Sequence, residues 1–170
     1  MDTARDLDRI AEQERRLVLE RFESSAAWTL GSSLRAAAEA RGAALAIEVR
    51  IAKRTVFFHA MPGARPSNGD WVRRKRNTVE LLARSSYAAG LAPLQDGLTI
   101  AQRMGLPVRD FAFAGGGFPI VLAGTGLVGA VAVSGLPQRD DHEMVVAALA
   151  ELAGVPLAET ALDGRRATQR

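Results

Sequence analysis

The chain has 170 residues, of which 48% are hydrophobic and 24% charged, and its net charge is +3. This length and apolar fraction fit one domain with a real core. Because cysteine is absent, disulfides, zinc–thiolate sites, iron–sulfur clusters and thiol nucleophiles are excluded. The N-terminus is acidic and carries no apolar run, and no stretch reaches the ~18 apolar residues of a membrane span. We therefore expect a cytoplasmic protein that does not associate with membranes.

The first half of the chain predicts two helices and a hairpin. Apolar residues at helical spacing predict a helix from Asp6 to Phe22. A second helix is expected from Ala26 to Ala40, with Ser24 or Ser25 as its cap and Gly42 just after its end. Strict alternation then predicts a strand over 45–52, and after a turn at Lys53 and Arg54 the run 55–59 predicts a second strand.

The segment from residue 62 to 109 predicts one long helix between irregular stretches. Residues 62–69 are rich in proline and glycine and indicate a loop. Asn68 or Asp70 can then cap a long helix that extends to Tyr87. The segment from Gly90 to Arg109 is expected to be irregular, with one short helix around residues 100–104.

The last part predicts a second hairpin and a final helix. Two β-rich runs, 118–122 and 127–133, flank three small residues. A helix from Asp140 to Ala153 follows, with Asp140 and Glu143 suited to a capping box. The tail after Pro156 is expected to be frayed.

Two hairpins without βαβ crossovers indicate a mostly antiparallel sheet with helices packed on it, an α/β (α+β) profilin-like fold. We find no internal repeat and no linker. The sequence therefore predicts a single domain over 1–170, with an ordered core of about 6–154.

The segment from Gly124 to Gly129 matches G-x-G-x-x-G. A dinucleotide site needs a helix that begins at this motif. Here a strand-like run follows instead, and it stops at Ser134 to Pro137. We interpret the motif as a hairpin turn and predict that it binds no nucleotide.

A second glycine run, Gly115 to Gly117, precedes Phe118. Three glycines allow a ligand to approach the backbone, and their N–H groups could hold an anion. The alternative is a bulge or a tight entry into the strand that begins at Phe118. The sequence is compatible with both interpretations.

The chain has two histidines. His59 ends a strand, whereas His142 lies in the first turn of the last helix among acidic residues. That acidic cluster is more typical of a cap and dipole complement than of a metal site, and no metal ligand is assigned. If haem binds, its axial ligand could be His142 or one of three methionines: Met61, Met104 and Met144.

The densest basic run extends from Arg73 to Arg76. It could contact phosphates, but a solvated helix face with one or two inward members is the favoured interpretation. Lys75, near Asn77 on the long helix, could bind an acidic ligand or form a partly buried ion pair. We therefore do not expect nucleic acid as a partner.

Three segments resemble a known family: residues 71–79 (WVRRKRNTV), 115–120 (GGGFPI) and 133–142 (VSGLPQRDDH). They are similar to the uncharacterised protein family 0303, within the GlcG/HbpS-like haem-degrading-domain superfamily. The resemblance implies a profilin-like α/β/α fold, a ring-like or higher homo-oligomer, and an association with haem or small-molecule metabolism. Where the family pattern has a histidine before the paired glycines, this chain has Ala114, which weakens the case for haem chemistry.

These observations favour a small-ligand-binding, haem-associated oligomeric protein, with a non-enzymatic oligomeric adaptor or scaffold as the alternative. Its expected partners are further copies of itself and a small molecule. Haem is the candidate cofactor, and neither an enzymatic activity nor a catalytic residue is assigned. The residues predicted to border one ligand cavity are Lys75, Asn77, Gly115, Gly116, Ser134 and His142.

Overall fold

A five-stranded sheet forms the centre of the computed structural model, which describes residues 3–92 and 97–162. The strands are β1 (Val18–Leu19), β2 (Ala46–Ile51), β3 (Arg54–Ala60), β4 (Gly117–Leu122) and β5 (Gly126–Ser134). Their order across the sheet is β1-β4-β5-β2-β3. All neighbours are antiparallel except β1 and β4, which are parallel. This confirms the predicted mostly antiparallel α/β fold and both hairpins.

The helices are α1 (Thr3–Arg16), α2 (Ser24–Ala40), α3 (Pro66–Leu82), α4 (Ser86–Leu91), α5 (Ile100–Arg103), α6 (Gln138–Ala153) and α7 (Leu157–Thr160). Helices α2 and α6 pack on one face of the sheet and α3 on the other. The alternation of β2 explains both layers: Ile47 and Val49 belong to the main core with α2 and α6, whereas Ala46 packs with Val72 of α3.

The first helix is shorter than predicted. It ends at Arg16 instead of Phe22, and Val18–Leu19 pairs with the end of β4. Leu17 and Leu19 are buried in the main core. Alternate burial along an extended segment overrides the helical spacing of these residues.

The long helix also ends earlier than predicted. Ala83 adopts a left-handed conformation with φ 51° and closes α3 after Leu82. Tyr87 therefore lies on α4, where the Ser85 hydroxyl accepts a hydrogen bond from the Ala88 N–H at 3.1 Å. At the other end, α3 begins at Pro66, and the Asn68 side chain accepts from the Arg65 N–H at 2.7 Å. Neither Asn68 nor Asp70 is the cap residue.

The last part of the chain differs from the prediction at both ends. Helix α6 begins at Gln138 after Pro137 and has no side-chain cap, so the capping box of Asp140 and Glu143 is wrong. Beyond Pro156 the chain continues into α7 and buries Leu162. Residues 163–170 lie outside the described part, as do residues 93–96 of the segment predicted to be irregular.

Candidate functional site

A buried ion pair joins α3 to α6 at one end of the sheet. The Lys75 Nζ lies 2.8 Å from Asp141 Oδ2 and donates a second hydrogen bond to the Val133 carbonyl at 3.0 Å. Asp141 also accepts from the Leu136 N–H at 3.0 Å and from the Gly135 N–H at 3.4 Å. Lys75 is only 3% exposed and Asp141 only 1%. The pair therefore ties the loop after β5 to both helices.

The same two residues line a surface cleft of about 300 Å³. The remaining lining residues are Arg65, Ser67, Asn68, Trp71, Ala114, Ser134, Gly135, Leu136 and Gln138. Helices α3 and α6 both begin at this cleft, through Ser67 and Gln138 respectively. The first N–H groups of a helix have no partner within the helix and carry partial positive charge. The mouth of the cleft is therefore suited to an anionic group.

Burial acts on both members of the ion pair. Removal from water lowers the pKa of the Lys75 amine, although the charge of Asp141 opposes that shift. Removal from water likewise raises the pKa of Asp141, against the charge of Lys75 and two backbone N–H donors. Both directions favour transfer of the proton from Nζ to the carboxylate.

The glycine run lies beneath the cleft, packed against its floor. A Cβ at Gly115 would lie 1.9 Å from the Gln138 carbonyl oxygen, and one at Gly116 would lie 2.4 Å from that of Val133. Gly116 also has φ +117°, a conformation that side chains disfavour. The run thus allows β4 to pass close to α6 and to Lys75.

Polar residues of α3 and α4 fix the segment that leads into this run. The Asn77 Nδ2 donates to the Asp110 carbonyl at 2.8 Å, and Thr78 Oγ1 donates to the Ala112 carbonyl at 3.0 Å. Ser86 Oγ donates to the Ala114 carbonyl at 2.5 Å and accepts from the Gly117 N–H at 2.9 Å. Asn77 therefore holds the segment that leads to the glycine run and is not part of the cleft lining.

His142 lies next to the cleft but is sealed from it. It is 0% exposed, and its Nε2 is 2.8 Å from Gln13 Oε1. Its ring packs against Tyr87 and Phe118, while Nδ1 is buried with no hydrogen-bond partner. Burial is the main cause that lowers the pKa of His142 to about 3, and the charge of Arg139 lowers it further. The imidazole is therefore neutral at physiological pH.

The basic run at residues 73–76 is neutralised by its own surroundings. Arg73 pairs with Asp70 and Asp110, and Arg76 pairs with Glu48. Arg74 stacks on Trp71 at 4.4 Å from the ring centroid. With Lys75 turned inward, the run does not form an open cationic surface.

Of the six predicted cavity residues, Lys75 and Ser134 line the cleft. Gly116 packs against Lys75, and the neighbouring Gly115 packs against His142. The glycine run therefore brings Lys75 and His142 into one region. Asn77 points toward Asp110, and His142 faces the interior. A role for these residues in ligand binding stays a prediction.

Sequence reasoning missed other members of the site: Arg65, Ser67, Trp71, Gln138 and Asp141 as the partner of Lys75. Trp71, Gln138 and Asp141 lie within the segments that resemble the family, which was the available signal, whereas Arg65 and Ser67 lie outside them. Within residues 3–92 and 97–162, no group of three or more histidine or acidic side chains could hold a metal ion. None of the helices described there has the length and hydropathy to cross a membrane.

The family described as "Haem degrading protein HbpS-like" matches residues 22–150. The UPF0303 protein of Azotobacter vinelandii is 53% identical over 163 residues, which cover 96% of this chain and 98% of that protein. A UPF0303 protein of Burkholderia mallei is 52% identical over 164 residues, with 96% and 99% covered. These matches confirm the resemblance inferred from the three sequence segments.

Solved structures with the same fold are also similar. The Ybr137w protein has a TM-score of 0.77 at 25% identity, with 87% of both chains covered. HbpS has a TM-score of 0.62 at 22% identity over 78% of this chain and 89% of its own. A complex of PduOC with haem has a TM-score of 0.64 at 16% identity, over 78% and 94%. At these identities the last two show the fold alone.

Proposed function

Since the chain belongs to the HbpS-like haem-degrading protein family, we propose that it binds a small anionic ligand in the cleft between the N-termini of α3 and α6. The observation that carries this proposal is the convergence of the two helix starts on a polar cleft. The cleft has a fixed cation–carboxylate pair as its floor. Ligand sites combine such a concave surface with a few convergent polar groups.

Arg65 supplies the charge that the floor lacks. Lys75 and Asp141 compensate each other, whereas Arg65 lines the mouth and makes no ion pair with another described residue. A guanidinium beside two helix N-termini matches a carboxylate or a phosphate. Trp71 adds an aromatic wall for the rest of the ligand.

Haem is the ligand of one protein of similar fold, which was solved as a haem complex. Iron-ligated haem usually needs a histidine, cysteine, methionine or tyrosine side chain. The cleft lining contains none of these, and Ala114 stands where the resembled family pattern has histidine. His142 is fully enclosed beside Gln13. Haem held through its iron therefore does not fit this cleft.

We also propose that the protein assembles with copies of itself. Strand β3 is at the edge of the sheet among the described strands, and Phe58 on it is 55% exposed. Trp28, 64% exposed on α2, packs edge-on against Phe57 of the same strand. Exposed aromatic side chains beside a free edge are typical of protein interfaces. A stable monomer in light scattering at micromolar concentration would contradict the assembly.

Calorimetric titration tests ligand binding, with inorganic phosphate and acetate as minimal anions and haemin as a separate titrant. We expect saturable anion binding. Arg65→Gln should weaken it about tenfold or more, because a hydrogen bond to a charged group contributes about 1.5–3 kcal/mol.

The matched control is Arg41→Gln, which removes an exposed arginine at the end of α2, away from the cleft. It should bind anions like the parent. Equal affinity in the parent and Arg65→Gln would contradict the proposed site. Saturable haemin binding with a shifted Soret band would show that an axial ligand is available after all.

A further inference from the structure

The chain contains 20 arginines but only two lysines, Lys53 and Lys75. Lys53 is exposed in the β2–β3 turn, whereas Lys75 is buried at the floor of the cleft. We propose that Lys75 is a reactive amine that captures a small carbonyl compound as an imine. The inference rests on the proposed function, because the ligand would be an aldehyde or ketone that carries an acidic group.

The residue type at this position is informative. Where this chain needs a cation it uses arginine nearly everywhere, including the three positions that flank Lys75 in the basic run. Arginine stays protonated in proteins and cannot act as a nucleophile, whereas a buried lysine readily loses its proton. A purely structural cation would not require the amine.

The surroundings of the amine suit both of its states. When protonated, Nζ donates to Asp141 and to the Val133 carbonyl at 2.8 and 3.0 Å. Burial lowers the pKa of Lys75 and raises that of Asp141. Both shifts favour the state in which the Lys75 amine is neutral and the Asp141 carboxyl group carries the proton. The two groups are at hydrogen-bond distance in this pair.

The step balances without an oxidant or reductant. The Nζ lone pair forms a bond to the carbonyl carbon, and the C=O π pair moves to oxygen, which takes the proton held by Asp141. The resulting carbinolamine returns a proton from nitrogen to Asp141. Its hydroxyl group then leaves as water with that proton as the C=N bond forms. Asp141 thus acts as acid, base and acid in turn.

Gly116 leaves room for this chemistry. A Cβ at that position would lie 2.9 Å from Nζ. The left-handed glycine therefore keeps the amine free of a side chain on that side. Access from solvent is through the cleft, whose volume of about 300 Å³ admits a compact molecule.

Glyoxylate is a suitable probe because it is a very small aldehyde that carries a carboxylate. The native protein is incubated with glyoxylate and cyanoborohydride at pH 7, which reduces imines to stable amines. Peptide mapping by mass spectrometry then measures modification at Lys75, Lys53 and the terminal amine. Acetaldehyde, of similar size but uncharged, is the parallel reagent, and unfolded protein is the control for intrinsic reactivity.

We expect Lys75 to be modified at least about tenfold more than Lys53 in the native protein, because an ordinary lysine is protonated at pH 7 and does not react as a nucleophile. In the unfolded protein the two lysines should be modified equally. Simple accessibility predicts the reverse order, because Lys53 is exposed and Lys75 is not. Modification of Lys53 with Lys75 unmodified would overturn the inference.

The two reagents separate this inference from the proposed function. Preference of Lys75 for glyoxylate over acetaldehyde supports both. Equal modification by the two supports the reactive amine and counts against an anion site. An inert Lys75 in a protein that still binds acetate in calorimetry overturns the amine and leaves the anion site standing. Lys53→Arg should leave Lys75 modification unchanged.

Discussion

The cleft and the enclosed region around His142 lie back to back on α6 and differ in how they treat buried polar groups. In the cleft, Lys75 and Asp141 bond to each other and to backbone groups, and both line a surface that opens to solvent. Around His142, α1 covers the ring through Gln13, and Nδ1 remains without a partner.

This difference indicates that the cleft is the candidate site and that the region around His142 is structural. Chemistry needs a group that a ligand can reach, and of these two regions the cleft provides one. The enclosed region instead joins α1 to α6 and α7: Gln13 Nε2 donates to the Thr160 carbonyl at 2.6 Å, and Arg139 pairs with Asp6 at 2.8 Å. Thus His142 anchors α1 and α7 against α6.

The largest effect is expected when the ion pair of the cleft is broken. Lys75→Met leaves the Asp141 carboxylate buried without its cation and should lower the free energy of unfolding by about 3–5 kcal/mol. The double variant Lys75→Met with Asp141→Asn should recover part of that loss. Urea unfolding measures both, and a loss below about 1 kcal/mol in the single variant would show that the pair is dispensable.

A smaller effect is expected at the glycine beneath the cleft. Gly116→Ala forces a side chain into a disfavoured conformation, which costs about 1–3 kcal/mol, and adds the clash with the Val133 carbonyl. Gly124→Ala is the matched control, because Gly124 also has positive φ, +71°, but nothing within 4 Å of the added Cβ. The difference in thermal unfolding midpoint reports the crowding at Gly116 together with the greater backbone strain of its φ. Equal midpoints would argue against close packing at Gly116.

The enclosed region should appear in the pH dependence of stability. The pKa of His142 is about 3 in the folded protein, below the value of about 6.5 for an unfolded histidine. The unfolded state therefore binds the additional proton in this window. Stability is lost as pH falls from about 6.5 toward 3, by up to about 1.4 kcal/mol per pH unit.

Denaturant unfolding between pH 6.5 and 5 measures this slope. His142→Gln should flatten it, whereas His59→Gln, which changes the only other histidine, should keep it. An unchanged slope in His142→Gln would assign the pH dependence to other groups.

The smallest effect on stability is expected at the mouth of the cleft. Arg65→Gln changes an exposed side chain without an ion pair to a described residue, so the free energy of unfolding should change by less than about 0.5 kcal/mol. Its effect should fall on anion affinity alone. A large loss of stability in this variant would make Arg65 a structural residue.

Much of the fold follows from local signals in the sequence. The hairpins were predictable from alternation and small turn residues, and Gly42 ends α2 as expected, with φ +59°. Leu17 and Leu19 were misassigned because their pairing with β4 is a tertiary contact that no local pattern reports. Lys75 was found through its motif, but Asp141 as its partner depends on the way α3 and α6 meet. Trp71 opens one of the three family-like segments, but nothing in the sequence placed it or Arg65 at a cleft, since a cleft is a property of packing.

Hydrogen exchange with and without saturating inorganic phosphate tests most directly whether the cleft, and not the enclosed region, binds ligand. The account predicts slower exchange in peptides that span residues 65–75 and 134–141, with no change in residues 6–16 and 85–91. Slower exchange confined to residues 6–16 and 85–91, or no change anywhere at saturation, would contradict it.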